Sequence, residues 1–339
     1  MAKRLITITA VLLAAPLFLF VLLWALFSWR PDSNGWPLWP ASAPADPGAL
    51  SVTWLGTSTL LITDGDTRLM TDAYFSRASR FAVLTQNLAP DDERIDAVLR
   101  QYQIDRLDAV LVVHSHFDHV MDSPRVAMRT GAELVGSEST ANVGRGAGMA
   151  DSAMRVVVPG EPIRYGEFEV IFLLSDHVPQ AAWLDRLTGM NEPISEPLSP
   201  PAPVSAWKEG ESYALLIRHP HGNILVQGSA GFVDGQLDGY QADLAFVSSV
   251  GLSRQRDGYV ADYVRNTVTA SAASTVVPIH WDDFFVAWQA ENTPPLPLIM
   301  EDLDGSFRLL SDEVSAAGAE FVVLPPGQTI QFRKDDSAP

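Results

Sequence analysis

From residue 50 onward, short apolar runs alternate with polar, Gly- or Pro-bearing stretches, the period of strands and turns. Leu107 to Val113 is apolar apart from Asp108 and predicts a buried strand. Glu133 to Gly136, Arg155 to Val158 and Phe168 to Leu174 continue the series. Ser212 to Ile217 and Asn223 to Gln227 flank a turn and predict a hairpin. Ala242 to Val250, Thr275 to Ile279, Glu320 to Leu324 and Thr329 to Phe332 complete the strands. Between them, Ser123-Pro124 sets an N-cap and a Pro at N1, predicting a helix to Thr130. Asp257 to Ala272 reads as a second helix. The alternation predicts one α/β domain over residues 50–333.

Two segments break the pattern. Val178 to Gly210 and Asp282 to Asp304 are rich in Pro and aromatic residues and predict long loops. They are read either as walls of an apolar substrate groove or as surface excursions.

The N-terminus has a different character. Leu5 to Trp29 is a 25-residue run without charge, preceded by Lys3 and Arg4. It is long enough to cross a hydrocarbon core of about 30 Å. Residues 1–30 therefore predict one transmembrane anchor, with a cleaved signal sequence as the competing reading. The nearest small-x-small site, Ala41-Ser42-Ala43, precedes Pro44, which disfavours cleavage. Two basic residues before the run against Arg30 after it place the domain on the periplasmic or extracellular side. Residues 31–49 read as a Pro/Ala-rich linker, with Trp36 and Trp39 suited to the membrane interface.

Candidate chemistry gathers at strand ends. Directly after the Leu107–Val113 run comes His114-Ser115-His116-Phe117-Asp118-His119. A packed core gains nothing from three imidazoles and a carboxylate there, whereas a borderline-soft divalent metal prefers those donors. His114 and His116 are two apart, so on an extended chain they point the same way. His177 and His280 each follow a further apolar run. His219 and His221 lie in the hairpin turn and read as solvated turn residues.

A strand ending in H-x-H-x-D-H, with two strand-end histidines far downstream, resembles the metallo-β-lactamase superfamily of metal-dependent hydrolases. The likeness runs from about Leu50 to Phe332: Ser51 to Ile62 resembles the family's opening strand pair, and Leu69 to Ser76 its first motif, with Asp72 at the motif aspartate. The phrase Val277 to Phe284 resembles the subgroup of ascorbate-phosphate lactonases and N-acyl-phosphatidylethanolamine phospholipase D. The resemblance implies a four-layer αββα sandwich made of two similar halves. It implies that His114, His116 and His177 bind one metal, and Asp118, His119 and His280 a second, with one or two Zn2+ per chain. It assigns Asp118 to orienting a metal-activated hydroxide, and Asp72 to steadying the histidine loop, although an ordinary turn aspartate would also fit the local sequence.

The sequence departs from the family at two places. Where the family carries an aspartate that bridges both metals, this chain has Ser229, a far weaker ligand. One metal, two metals without a carboxylate bridge, or a binding protein that has lost hydrolysis all follow from that change. Asp234 would substitute only if its loop folded back. Thr57 stands where related sequences often have histidine.

Composition adds three limits. There is no cysteine, which removes disulfides and thiolate metal sites. Net charge is −18, and residues 1–49 carry +1, leaving −19 on the domain. Such a domain repels nucleic acid, and nothing in it fixes an oligomeric state. The expectation is a membrane-tethered, zinc-dependent hydrolase of a phosphodiester or lipid-like small molecule, with ester or lactone hydrolysis next. A metal- or ligand-binding pseudoenzyme of the same fold is the alternative.

Overall fold

The computed structural model describes residues 18–19, 21–31, 35–40, 49–290 and 293–332. Two seven-stranded mixed sheets lie at its centre. The first contains β1 (Leu50–Trp54), β2 (Leu60–Thr63), β3 (Arg68–Thr71), β4 (Ala109–Leu111), β5 (Glu133–Gly136), β6 (Met154–Val156) and, at its edge, β14 (Thr329–Phe332). The second contains β7 (Pro162–Tyr165), β8 (Phe168–Ser175), β9 (Ser212–Arg218), β10 (Ile224–Gln227), β11 (Leu244–Ser248), β12 (Thr275–Ile279) and β13 (Glu320–Phe321).

The period-2 alternation of strands splits the side chains of the first sheet between two cores. Ala109, Leu111 and Val113 face the second sheet, in one cluster with Phe172, Leu215 and Val226. Val110 and Val112 face the other way, against Ile95, Leu99, Val126 and Val143. Those last four belong to α2 (Asp92–Gln101), α4 (Ser123–Thr130) and α5 (Glu138–Gly146). Tyr263 of α7 (Tyr259–Val264) and Phe307 and Leu310 of α8 (Leu303–Ala316) join the second sheet's cluster. Two mixed sheets with flanking helices give the expected αββα sandwich.

The two halves repeat one pairing pattern. Along β14-β1-β2-β3 every pair is antiparallel, and along β3-β4-β5-β6 every pair is parallel. The order β7-β8-β9-β10 is again antiparallel, and β10-β11-β12-β13 again parallel. The sequence shows no internal repeat, so this equivalence resides in the backbone.

Several expectations change. The segment 178–210 is not a bare loop: it holds α6 (Ala182–Thr188) and a 3-10 turn at Val204–Ala206. The helix expected over 257–272 is α-helical at Tyr259–Val264 and widens to a π-helix at Arg265–Thr269. His219 is buried rather than solvated, 4.6 Å from the ring of Phe168 and 3.4 Å from Asp64. Trp36 packs edge-on against Phe307 and Phe321, and the Trp39 N–H bonds the Val323 carbonyl. These linker tryptophans dock on the domain, because apolar rings there find a core to cover. Most of the expected anchor, residues 1–17 and 20, lies outside the described residues. Residues 21–28 are helical, and among the described residues no helix is long and apolar enough to cross a membrane.

Candidate metal centre

The strand ends place the donors. The Val113 N–H donates to Asp72 Oδ1 (2.8 Å), so the chain leaves β4 anchored to the residue after β3. His114 follows, and His116 is the N-cap of the short α3 (Phe117–Val120). That helical turn swings Asp118 and His119 toward a second point. His177 comes from the end of β8 and His280 from the end of β12.

Two donor groups result. His114, His116 and His177 form one, and Asp118, His119 and His280 the other; within each, one ligand atom per residue lies within 4.8 Å of the rest. The His114 and His119 rings are 3.8 Å apart, so the groups adjoin. In the second group His280 Nε2 is 3.3 Å from His119 Nε2 and 3.5 Å from Asp118 Oδ2. The structure thus brings together the six residues the sequence singled out, in the two groups the resemblance implied.

The donors fit a metal. Both ring nitrogens of His114 are buried without a hydrogen-bond partner among the described residues, as is His280 Nδ1. Buried polar atoms are normally satisfied, and orphans gathered at one point mark a missing partner. The remaining rings each commit one nitrogen outward. His119 Nδ1 faces Asp72 Oδ2 and Ser58 Oγ, each at 3.0 Å. His116 Nε2 donates to the Thr188 carbonyl (3.1 Å), and His177 Nδ1 to the Val178 carbonyl (2.9 Å). Each such bond fixes the tautomer and leaves the other nitrogen free to ligate. Asp72 therefore supports His119 and Val113, the place the resemblance gave it. Ser58 and the Thr188 and Val178 carbonyls were not legible in sequence, because hydroxyls and backbone groups carry no spacing signal.

Electrostatics point the same way. Burial pushes the His114 imidazole far below its ordinary range, and neighbouring histidines add to the shift. Burial, followed by His177, takes His116 down to about 3. His177 is lowered too, mainly by burial. Three neutral imidazoles are what a cation requires. Burial alone would raise the Asp118 carboxyl, but His119 and His280 outweigh it and hold Asp118 well below the usual carboxylate range. For His119, Asp72 and Asp118 outweigh burial and raise the imidazole.

Around the centre the backbone is strained. Thr57 (φ 50°), Asp72 (φ 38°) and His280 (φ 60°) all take left-handed conformations that disfavour a side chain. A buried chain of bonds holds two of them. Arg77 pairs with Asp282 (2.6 Å), both fully buried. Asp282 Oδ1 accepts the Thr57 N–H (2.7 Å), and the Thr57 carbonyl accepts the His280 N–H (2.9 Å).

Residues 52–192 match the model of the metallo-beta-lactamase superfamily. That span carries five of the six donors, and the fold brings in His280 from beyond it. Over that span, somewhat less than half of its length, the chain is similar to the metallo-β-lactamase superfamily. It is 25% identical over 303 residues to a metal-dependent hydrolase of Cupriavidus taiwanensis, covering 86% of this chain and 90% of that one. A metal-dependent hydrolase of Cupriavidus necator is 25% identical over 333 residues, covering 95% and 98%. The metallo-beta-lactamase fold protein YhfI of Bacillus subtilis has a similar fold: 15% identity, TM-score 0.51, 84% of this chain and 99% of that one.

The position of the superfamily's bridging aspartate is filled by a side chain engaged elsewhere. Ser229 Oγ accepts the Val178 N–H (3.0 Å) and so fixes the backbone beside His177. Gly228 lets this strand end approach: a Cβ there would sit 2.6 Å from Val113 and 3.3 Å from Asp72 Oδ2. Asp234 does not fold back, because it is exposed and bonds Asn266 Nδ2 (2.9 Å). Both long segments reach the centre. Phe284 packs edge-on against His280 (5.1 Å). On the other side a cavity of about 480 Å3 opens beside His177, lined by Gln180, Asp185 and Met190 among others.

Proposed function

We propose that this metal-dependent hydrolase of the metallo-β-lactamase superfamily is a zinc enzyme, held to a membrane by its N-terminal segment, that hydrolyses a phosphodiester bond in a lipid-like substrate. The two adjoining donor groups, five neutral or neutral-capable imidazoles and one ionised carboxylate, carry the reading. When bound, the metal supplies an activated water nucleophile and a positive centre for the charge that develops on the substrate oxygen. His114, His116 and His177 would hold one ion, and Asp118, His119 and His280 a second. Asp118, kept ionised by its histidine neighbours, would accept a hydrogen bond from such a water and so orient it. Asp72 keeps His119 turned toward the centre. The cavity beside His177 is also lined by Asp176 and Asp185. Two carboxylates oppose a dianionic monoester there, so a monoanionic diester suits the site, and a neutral ester or lactone comes next.

The test uses the full chain purified in detergent. Metal per chain is measured, then turnover of a phosphodiester, a lactone and a cephalosporin reporter. At least one zinc per chain and phosphodiester turnover abolished by His116→Ala are expected. Less than one metal per chain with no turnover would sink the proposal. A binding protein without hydrolysis is the second reading, favoured by the engagement of Ser229 with Val178. Ser229→Asp separates the two: new turnover together with a second metal would show that the missing carboxylate had silenced the site.

A further inference from the structure

Helix α1 (Arg80–Thr85) turns only Val83 inward. Its outward face carries Phe81 (69% exposed) and Leu84 (71% exposed), which at i and i+3 lie side by side. The N-terminal segment packs beside them. The Arg80 guanidinium lies 5.7 Å from the Phe27 ring, and the Leu298 N–H bonds the Trp29 carbonyl (2.9 Å). Ile299 next to it is exposed, as are Trp24 and Trp29. Scattered apolar surface is ordinary, but large side chains from three segments meeting on one face are not. Charge sets the face apart as well. Arg30 (2.7 Å) and Arg80 (2.5 Å) share the single carboxylate of Asp283, a local positive excess on a strongly acidic domain.

We propose that this face, formed by Phe81, Leu84, Ile299 and residues 21–30, rests in the surface of a lipid bilayer, so that substrate passes from the membrane to the metal centre. The occupant follows from the chain itself. The segment on this face is the end of the uncharged run Leu5 to Trp29, whose natural solvent is lipid. Arginines at its edge suit lipid phosphates. The face also lies next to the chemistry: Asp283, which ties Arg30 and Arg80, follows Asp282, which braces His280 through Thr57. The inference rests on the membrane-held reading of the N-terminal segment.

Because the chain has no cysteine, single labels are placed without background. Phe81→Cys, Leu84→Cys and Val158→Cys, the last an exposed control after β6, are labelled with an environment-sensitive fluorophore in the full chain. Each is reconstituted into vesicles of phosphatidylcholine and phosphatidylglycerol with and without spin-labelled lipid. Flotation with several-fold stronger quenching at 81 and 84 than at 158 is expected. Flotation with equal quenching at all three would overturn the face and leave the anchor standing. Label-to-label contact at 84 without lipid quenching would overturn it in favour of a second copy of the chain. Loss of flotation would refute the anchor and the face with it.

Discussion

His280 presents its imidazole to the donor group from a left-handed backbone conformation that costs about 1–3 kcal/mol. Something must hold it there, and the Arg77–Asp282–Thr57 chain does so from beneath. The arrangement is brittle because the ion pair is fully buried. Asp282→Asn keeps an acceptor for the Thr57 N–H but strands the guanidinium, whose Nε and Nη2 already lack partners among the described residues. A loss of about 3–5 kcal/mol in urea unfolding is expected. Adding Arg77→Met, so that no charge stays buried, should restore most of it; no recovery would mean the pair does more than neutralise charge. At this scale the donors were legible and their bracing was not. His114, His116, Asp118, His119, His177 and His280 announce themselves because polar residues at the ends of apolar runs are chemically unusual. Thr57 acts through a backbone N–H and C=O that any residue carries, and the Asp282 carboxylate acts on that N–H and on Arg77, contacts between distant segments that no local spacing reveals. Asp72 was legible only through resemblance.

The short helix α3 and its successor α4 decide whether the donors face inward, and Asp122 ties that corner to the loop after β3. Its carboxylate accepts the Phe75 and Ser76 N–H groups and the Ser76 hydroxyl, each at 2.6 Å. Burial outweighs those donors and pushes Asp122 up to about 6 from an ordinary 3.8. The folded state then binds the extra proton between about pH 4 and 6. Stability from this group is fully present below that window and is lost as pH rises through it, by up to about 3 kcal/mol. Asp122→Asn should flatten unfolding free energy across pH 4–6; an unchanged slope would assign it to other carboxylates. Elements with a clean apolar period were legible: β5, β10, β14 and α4 fall where their sequences place them. Helices α2 and α8 went unpredicted although Ile95, Val98 and Leu99 in one and Phe307, Leu310 and Val314 in the other line an apolar face; two further helices have mixed faces. Helix α5 is built largely of Ser, Thr, Gly and Asn, and α6 hides in a proline-rich stretch because its turns are held by local backbone bonds.

Across the whole molecule, the repeated pairing of the two sheets gathers all six donors at one edge of the sandwich. β3 and β10 are equivalent strands, and their ends carry Asp72 and Ser229, so one half kept its carboxylate and the other did not. The sandwich was inferred from resemblance rather than from periodicity, since apolar runs give strands but not their order. β14 pairs with β1 from Leu50–Phe332 to Thr53–Thr329. Ile330 on it is fully buried, so Ile330→Ala should cost about 2–5 kcal/mol by chemical denaturation. A cost below 1 kcal/mol would mean this edge is dispensable.

That pairing also sets a clock. β1 must wait for Thr329–Phe332 to leave the ribosome before its outer edge is covered. Until then β1 presents a row of open N–H and C=O groups beside an apolar N-terminal segment, a template for association with other chains. Closure of this sheet edge is therefore tied to synthesis of Thr329–Phe332, and truncated chains ending before Thr329 should be the ones that aggregate.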